Sequence, residues 1–271
     1  MNKEYENNIG RAFQTLNHKA FIPFLTAGDP TPGCTVEYIL EMDRAGADLI
    51  EIGIPFSDPT AESVEIQDAN IRALEGGINT DGVFDIVRRV RVLARESGKA
   101  PVPLAFMTYA NPVLHYGCEP FFARCEELGV GAVIVPNLPY EEKQELEGAA
   151  DAHHVALISM IASTSRDRIQ MIAREAKGFI YVVSSTGVTG VRGGIDTSLE
   201  SIVKSIREVT DVPCVVGFGI HTPDQARQMA RISDGVIVDS AIVKLIARDG
   251  EQAAPAIYEY VKNMKAAVAS V

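Results

Sequence analysis

The chain has 271 residues, enough for one large domain, and its 46% hydrophobic and 23% charged residues are the balance of a well-cored soluble globule. A net charge of −11 argues against nucleic acid as a partner, because phosphate backbones are bound by basic surfaces. Cys34, Cys118, Cys125 and Cys214 form no C-x-x-C pair and have no paired histidines beside them, so zinc is not expected and four reduced thiols in a cytoplasmic protein are.

The opening MNKEYENNIGRAF is polar and amphipathic, with no apolar segment to serve as a secretory signal. It predicts a helix over about residues 3–16. Eight short runs rich in Val, Ile and Phe follow, at 20–28, 48–54, 102–109, 131–137, 156–162, 179–185, 214–220 and 235–241. Each has the length and continuous apolar character of a strand buried on both faces. None approaches the roughly 18 apolar residues that a membrane span needs.

Between the runs lie stretches with helical spacing, such as Val83, Ile86, Val87 and Val90, or Ile202, Val203, Ile206 and Val209. Thr222-Pro223-Asp224 combines a capping oxygen, a proline at the first helical position and an acid in the first turn. Eight such alternations without a linker predict an α/β chain folded as a single (β/α)8 TIM barrel over residues 1–271, with the N-terminal helix outside the repeats. An open doubly wound sheet is the rival, weakened because no G-x-G-x-x-G follows the first run.

Barrel chemistry sits at the C-terminal ends of the strands and on the loops after them. Glu51 stands there, between Ile50 and Ile52, and no Lys or Arg lies in any of the eight runs to pair with it. Burial raises such a carboxyl's pKa toward neutrality, which suits a group that both gives and takes a proton. A structural glutamate capping backbone amides is the alternative. Glu62, in the next loop, reads two ways, as a second functional carboxylate or as a charge favoured by a helix dipole. Glu65 fits the dipole role, with Ser63 as the N-cap.

With no lysine at a strand end, Schiff-base chemistry is disfavoured, and the five histidines have no metal-ligand spacing. The run SSTGVTGVRGGIDT carries four glycines and reads as a mobile lid or as a plain flexible connection. GFGI after the seventh run and the helix opening DSAIVKL after the eighth occupy the fold's usual phosphate site. A phosphorylated small molecule is the expected ligand.

FIPFLTAGDP, EIGIPFSDP, MTYANP, SSTGVTGVR, GFGI and SAIVK stand in the order and spacing of one family. From end to end the sequence resembles the tryptophan synthase alpha subunit. The resemblance implies a lyase of tryptophan biosynthesis that cleaves indole-3-glycerol phosphate to indole and glyceraldehyde 3-phosphate. It implies no cofactor in this chain, a PLP-dependent beta subunit as partner, and an alpha2beta2 assembly. Glu51 matches the family's acid/base, and Glu62 falls where an aspartate usually meets the indole N–H. Phe24, Tyr109, Ile134, Tyr181 and Phe218 match the indole pocket, and Thr189 matches a lid residue. Gly190, Gly219 and Ser240 match phosphate-binding positions, and Asp58 and Asn111 match positions facing the beta subunit.

Four departures from the family pattern stand out. Glu62 adds a methylene, a shift of about 1 Å that can cost about 10²-fold in rate. Ser63 and Val64 replace a glycine and a proline, and Asn137 replaces an aspartate. Asp239 replaces a glycine at the phosphate site, where a carboxylate about 5 Å from the ligand would cost roughly 3 kcal/mol per phosphate charge. A side chain turned to solvent, leaving only the backbone N–H on the ligand, is the expected way out. Weak cleavage, in a chain that mainly activates its partner, is one alternative these departures raise. A stand-alone sugar-phosphate lyase or isomerase of the same fold is another.

Overall fold

Eight runs apolar on both faces have only one way to avoid exposed edges, which is to close on themselves. We describe a computed structural model covering residues 8–162, 164–183, 197–217 and 219–271. In chain order the first elements are α1 (Asn8–Thr15), β1 (Ala20–Thr26), α2 (Pro32–Arg44), β2 (Ile50–Gly53), α3 (Val64–Glu75) and α4 (Thr80–Glu96). Next come β3 (Leu104–Met107), α5 (Ala110–Tyr116), α6 (Cys118–Glu127), β4 (Val130–Ile134), α7 (Gln144–Ala152), β5 (Ala156–Ile161) and α8 (Arg166–Arg174). The last are β6 (Ile180–Val183), α9 (Thr197–Arg207), β7 (Cys214–Gly217), α10 (Pro223–Ile232), β8 (Gly235–Val238), α11 (Ser240–Asp249) and α12 (Ala254–Ala269).

The strands are parallel, pair in sequence order, and β8 closes on β1 to complete the barrel. That closure excludes the open doubly wound sheet. The helix signals act as the sequence predicts. Thr222 accepts from the backbone of Gln225 while the Gln225 side chain reaches back to the cap, with Pro223 opening the helix.

Side chains alternate between the barrel interior and the helix layer. Phe21, Leu25, Ile50 and Ile52 pack outward under the helices, whereas Ile22, Leu49, Ala105, Ala132, Phe179 and Ile237 fill the inside. Helix α1 seals the floor: Ile9 is fully buried among the interior residues, and Phe13 packs on Phe179 with ring centroids 5.8 Å apart. At the other end, Ile66 and Ala69 of α3 meet Phe24 of β1 and Val243 of α11 in a small separate cluster.

Two strand glycines make room for inward rings. A Cβ on Gly53 would stand 2.7 Å from the Phe24 ring, and one on Gly217 would stand 2.3 Å from the Tyr181 hydroxyl. Real atoms do not approach so closely, so each ring occupies space that a side chain would otherwise fill. Gly217→Ala should therefore destabilise the chain by about 1–3 kcal/mol through overpacking. Urea unfolding measures the change, and a stability equal to that of the parent would show that Tyr181 has room to move.

Candidate active site

Strand parity decides what faces the barrel mouth. With Ile22, Leu49, Ala105, Phe179 and Ile237 inward, the next inward residues toward the C-terminal ends are Phe24, Glu51, Met107, Tyr181 and Asp239. All five line one cavity of about 340 Å³, together with Glu62, Ser63 and Ile66 from the β2–α3 segment and Met160 from β5. Gly219 and Ser240 complete its rim. Register sets Phe24 beside Glu51 across the β1–β2 ladder.

Glu51 is 1% exposed, and its Oε2 has no hydrogen-bond partner among the described residues. No Lys, Arg or His is among the described lining residues. Burial first, then the negative charges of Asp239 and Glu62, push the Glu51 carboxyl up to about 8. Glu62 is pushed to about 7, again mainly by burial; the Asn70 amide, donating to its Oε2 at 2.7 Å, works in the opposite direction. The cavity therefore holds two carboxyls that exchange protons near neutral pH. Among the described residues no group of three His, Cys, Asp or Glu is placed to hold a metal ion.

The two readings of Glu62 separate geometrically. Glu65, in the first turn of α3, pairs with Lys244 at 2.9 Å, and that contact holds its carboxyl down at about 2. Glu62 lies before the helix and turns into the cavity, tied by Asn70 through its side chain and by Gln67 through its carbonyl. Asn70 interrupts the buried stripe of Ile66, Ala69 and Ala73 on α3. A polar side chain in such a stripe needs a partner, and that was the available sequence signal for its role.

Several expected positions differ. Tyr109 does not line the cavity: it is buried beneath the β2–α3 segment, stacked on Phe56 at 5.1 Å, and its hydroxyl accepts the Ala61 N–H at 2.9 Å. It braces the backbone one residue before Glu62. Ile134 is fully buried in the interior and is covered from the cavity, whose wall there is Met107, Pro136 and Met160. Ser63 has φ −68°, so no left-handed strain arises, and its hydroxyl leaves the α3 cap to meet the Ser240 hydroxyl at 2.9 Å. Asn137 accepts the Ala110 N–H at 3.0 Å and so fastens the start of α5.

Asp239 corrects the expectation of a solvent-facing side chain. Its carboxylate lines the cavity and accepts the Ser240 N–H at the start of α11, because residue 239 shares the inward parity of Gly235 and Ile237. Gly219 keeps φ +74° and no described residue lies within 4 Å of where a Cβ would be, which leaves its backbone open to a ligand on that side. Tyr181 lies deep in the interior, where burial raises its phenol well above the usual value and keeps it neutral. Asp58 and Asn111 are exposed at the same end of the barrel, after β2 and at the start of α5. Thr189, Gly190 and Phe218 lie outside the described residues.

Residues 11–269 match the family described as "Tryptophan synthase alpha chain". Among curated relatives, the "Tryptophan synthase alpha chain" of Lactiplantibacillus plantarum is 47% identical over 253 residues, covering 93% of both chains. That of Lacticaseibacillus casei is 45% identical over 252 residues, covering 93% of this chain and 92% of its own. Among solved structures, the tryptophan synthase subunit alpha of Legionella pneumophila superposes with a TM-score of 0.87 at 32% identity, covering 98% of this chain and 99% of that one. The aminoacrylate-bound tryptophan synthase of M. tuberculosis gives 0.84 at 28% identity, covering 97% and 99%.

A raised carboxyl pKa carries a stability consequence of definite sign. Glu51 holds its proton to about pH 8 when folded but releases it near 4.5 when unfolded, so folding stability falls as pH rises across that interval. In urea unfolding, Glu51→Gln should flatten the slope and leave the chain more stable than the parent at pH 8 by roughly 2–4 kcal/mol. Parallel pH profiles for the two proteins would contradict a neutral buried carboxyl.

Proposed function

The chain belongs to the tryptophan synthase alpha chain family, and from that premise we propose how its own residues perform the family's reaction. That reaction is the cleavage of indole-3-glycerol phosphate, a lyase step of tryptophan biosynthesis. It breaks the bond between the indole ring carbon and the side chain. The ring carbon must gain a proton, and the hydroxyl on the departing carbon must lose one. Glu51 begins as the neutral acid, protonates the ring carbon, and as carboxylate accepts the hydroxyl proton while the carbon–carbon bond breaks. Electrons return to the ring, indole leaves, the new carbonyl belongs to glyceraldehyde 3-phosphate, and Glu51 ends as it began.

Protonating the ring places positive charge toward its nitrogen. Glu62, ionised and aimed by Asn70, accepts the indole N–H and offsets that charge. Phe24, Met107 and Met160 supply the apolar walls for the ring, and Tyr181 the floor. The phosphate is held at the rim by Gly219 and the start of α11 through backbone N–H groups, since no cation is among the described lining residues. Thr189, Gly190 and Phe218 complete this assignment on the resemblance alone.

The alpha chain pairs with the beta subunit of tryptophan synthase. We assign Asp58 and Asn111 to that contact, with Leu114, 49% exposed on α5, beside them. This reading includes an alpha2beta2 assembly in the cytoplasm, with PLP in the beta subunit; the described cavity lining has no lysine amine to bind an aldehyde cofactor. Asp239 favours a second reading, a chain of weak cleavage that chiefly activates its partner, because its carboxylate occupies an amide that the phosphate needs.

One observation carries the assignment: Glu51 is a buried carboxyl with an unpaired oxygen at an apolar cavity. Indole release from indole-3-glycerol phosphate, with and without a beta subunit, is the test. Glu51→Gln should lower kcat by about 10²–10⁴-fold without unfolding the chain. Turnover at the parental rate in that variant removes the mechanism, and no indole from the parent under either condition leaves the second reading. The parent's rate should pass through a maximum near neutral pH, with limbs that belong to the Glu51–Glu62 pair jointly.

A further inference from the structure

The start of α11 is already occupied by the chain's own groups. The Ser240 N–H goes to the Asp239 carboxylate, and the Ser240 hydroxyl pairs with that of Ser63 at 2.9 Å. The N–H groups of Ile242 and Val243 go to the Asp239 carbonyl. An arriving phosphate therefore meets a helix terminus on which a carboxylate already sits. The Asp239 carboxylate and a phosphate cannot both use the Ser240 N–H while both are fully charged.

We propose that Asp239 is an internal stand-in for the substrate phosphate, which takes up a proton when the phosphate binds and then meets it as a neutral O–H donor. This rests on the reading above that the cavity takes a phosphorylated substrate. The same cavity carries an independent sign of a ligand, because Glu51, which lines it, keeps a buried Oε2 without a partner among the described residues.

Among the described residues, the surroundings of Asp239 favour protonation. Glu51 on β2, Glu62 before α3 and Glu65 within α3 are all acidic. Lys244 on α11 is the nearby cation among the described residues, and it is spent on Glu65 at 2.9 Å. Tyr181 on β6 and Tyr260 on α12 are phenols whose ionisation is opposed by the Asp239 charge. The Tyr260 hydroxyl donates to the His221 carbonyl, and the His221 ring meets the Gly219 carbonyl at 3.1 Å. Burial already raises the Asp239 carboxyl, against the opposing hydrogen bond from Ser240. A dianion placed at Ser240 raises it further. The proton comes from solvent, and displacement of the carboxylate frees the Ser240 N–H for a phosphate oxygen. Asp239 thereby sets which charge state of ligand the site accepts and at what pH.

Isothermal titration of glycerol 3-phosphate at pH 8, in two buffers of different ionisation heat, counts the protons taken up. The phosphate is already a dianion there, its second pKa being about 6, so uptake reports on the protein. The parent should take up between about half a proton and one per site and bind less tightly as pH rises from about 7 to 9. Asp239→Asn should lose most of the uptake, flatten the pH dependence and bind about tenfold more tightly or better. Asp239→Ser, another capping side chain, should behave alike if the asparagine variant folds poorly. Unchanged uptake in both variants, or uptake lost only in Glu51→Gln, overturns the proposal. A parent that releases indole without proton uptake removes this inference alone, and a parent that neither binds the probe nor cleaves removes the phosphate reading with it.

Discussion

The site depends on carboxyls buried where no positive charge among the described residues comes to meet them. A glutamate paired with arginine would stay ionised across the physiological range and could never donate a proton. Glu51 is 1% exposed, faces Asp239 and Glu62 rather than a cation, and so spends much of its time neutral. Where the chain does want a fixed charge near the barrel mouth it supplies the partner. Asp29, equally buried, accepts from Nε and Nη2 of Arg72, each at 2.8 Å. The contrast between Asp29 and Glu51 is one of neighbours rather than depth.

That arrangement needs a rigid frame, because a proton donor misplaced by a fraction of an ångström loses its reach. The frame is the closed barrel, with Phe24 and Tyr181 laid over strand glycines so that two rings fit inside it. The segment carrying Glu62 is not part of the barrel, and it is fixed by added ties instead. Tyr109 holds Ala61 from below, Asn70 and Gln67 hold Glu62 from α3, and Ser63 reaches across to Ser240. Side chains from three separate stretches of sequence thus set one carboxylate.

Much of this was legible in the residues. Eight apolar runs of strand length gave the barrel, since continuous apolar character leaves a closed parallel sheet as the fitting architecture. Glu51 stood out because an acid between isoleucines on a strand has few structural excuses. What escaped was of three kinds. Tyr109, which the resemblance places at the ligand, braces the loop ahead of Glu62, and Ile134 is fully buried in the interior; position along a strand does not show such ties or depth. The Ser63–Ser240 contact joins residues 177 positions apart, and no local pattern announces such a pair. Asp239 was a failure of a third sort, since counting by twos along β8 from Ile237 would have turned it inward.

The plug formed by α1 has a consequence for how the proton travels. With Ile9 and Phe13 closing the base and interior side chains stacked above them, the described residues leave the barrel closed at its floor. In the proposed mechanism a bound substrate fills the mouth and cuts Glu51 off from bulk water while it gives up its proton. Its replacement has to come from the guest itself, and the alcohol hydrogen released as the chain breaks is the one at hand. A sealed floor thus turns a general acid into a self-resetting one.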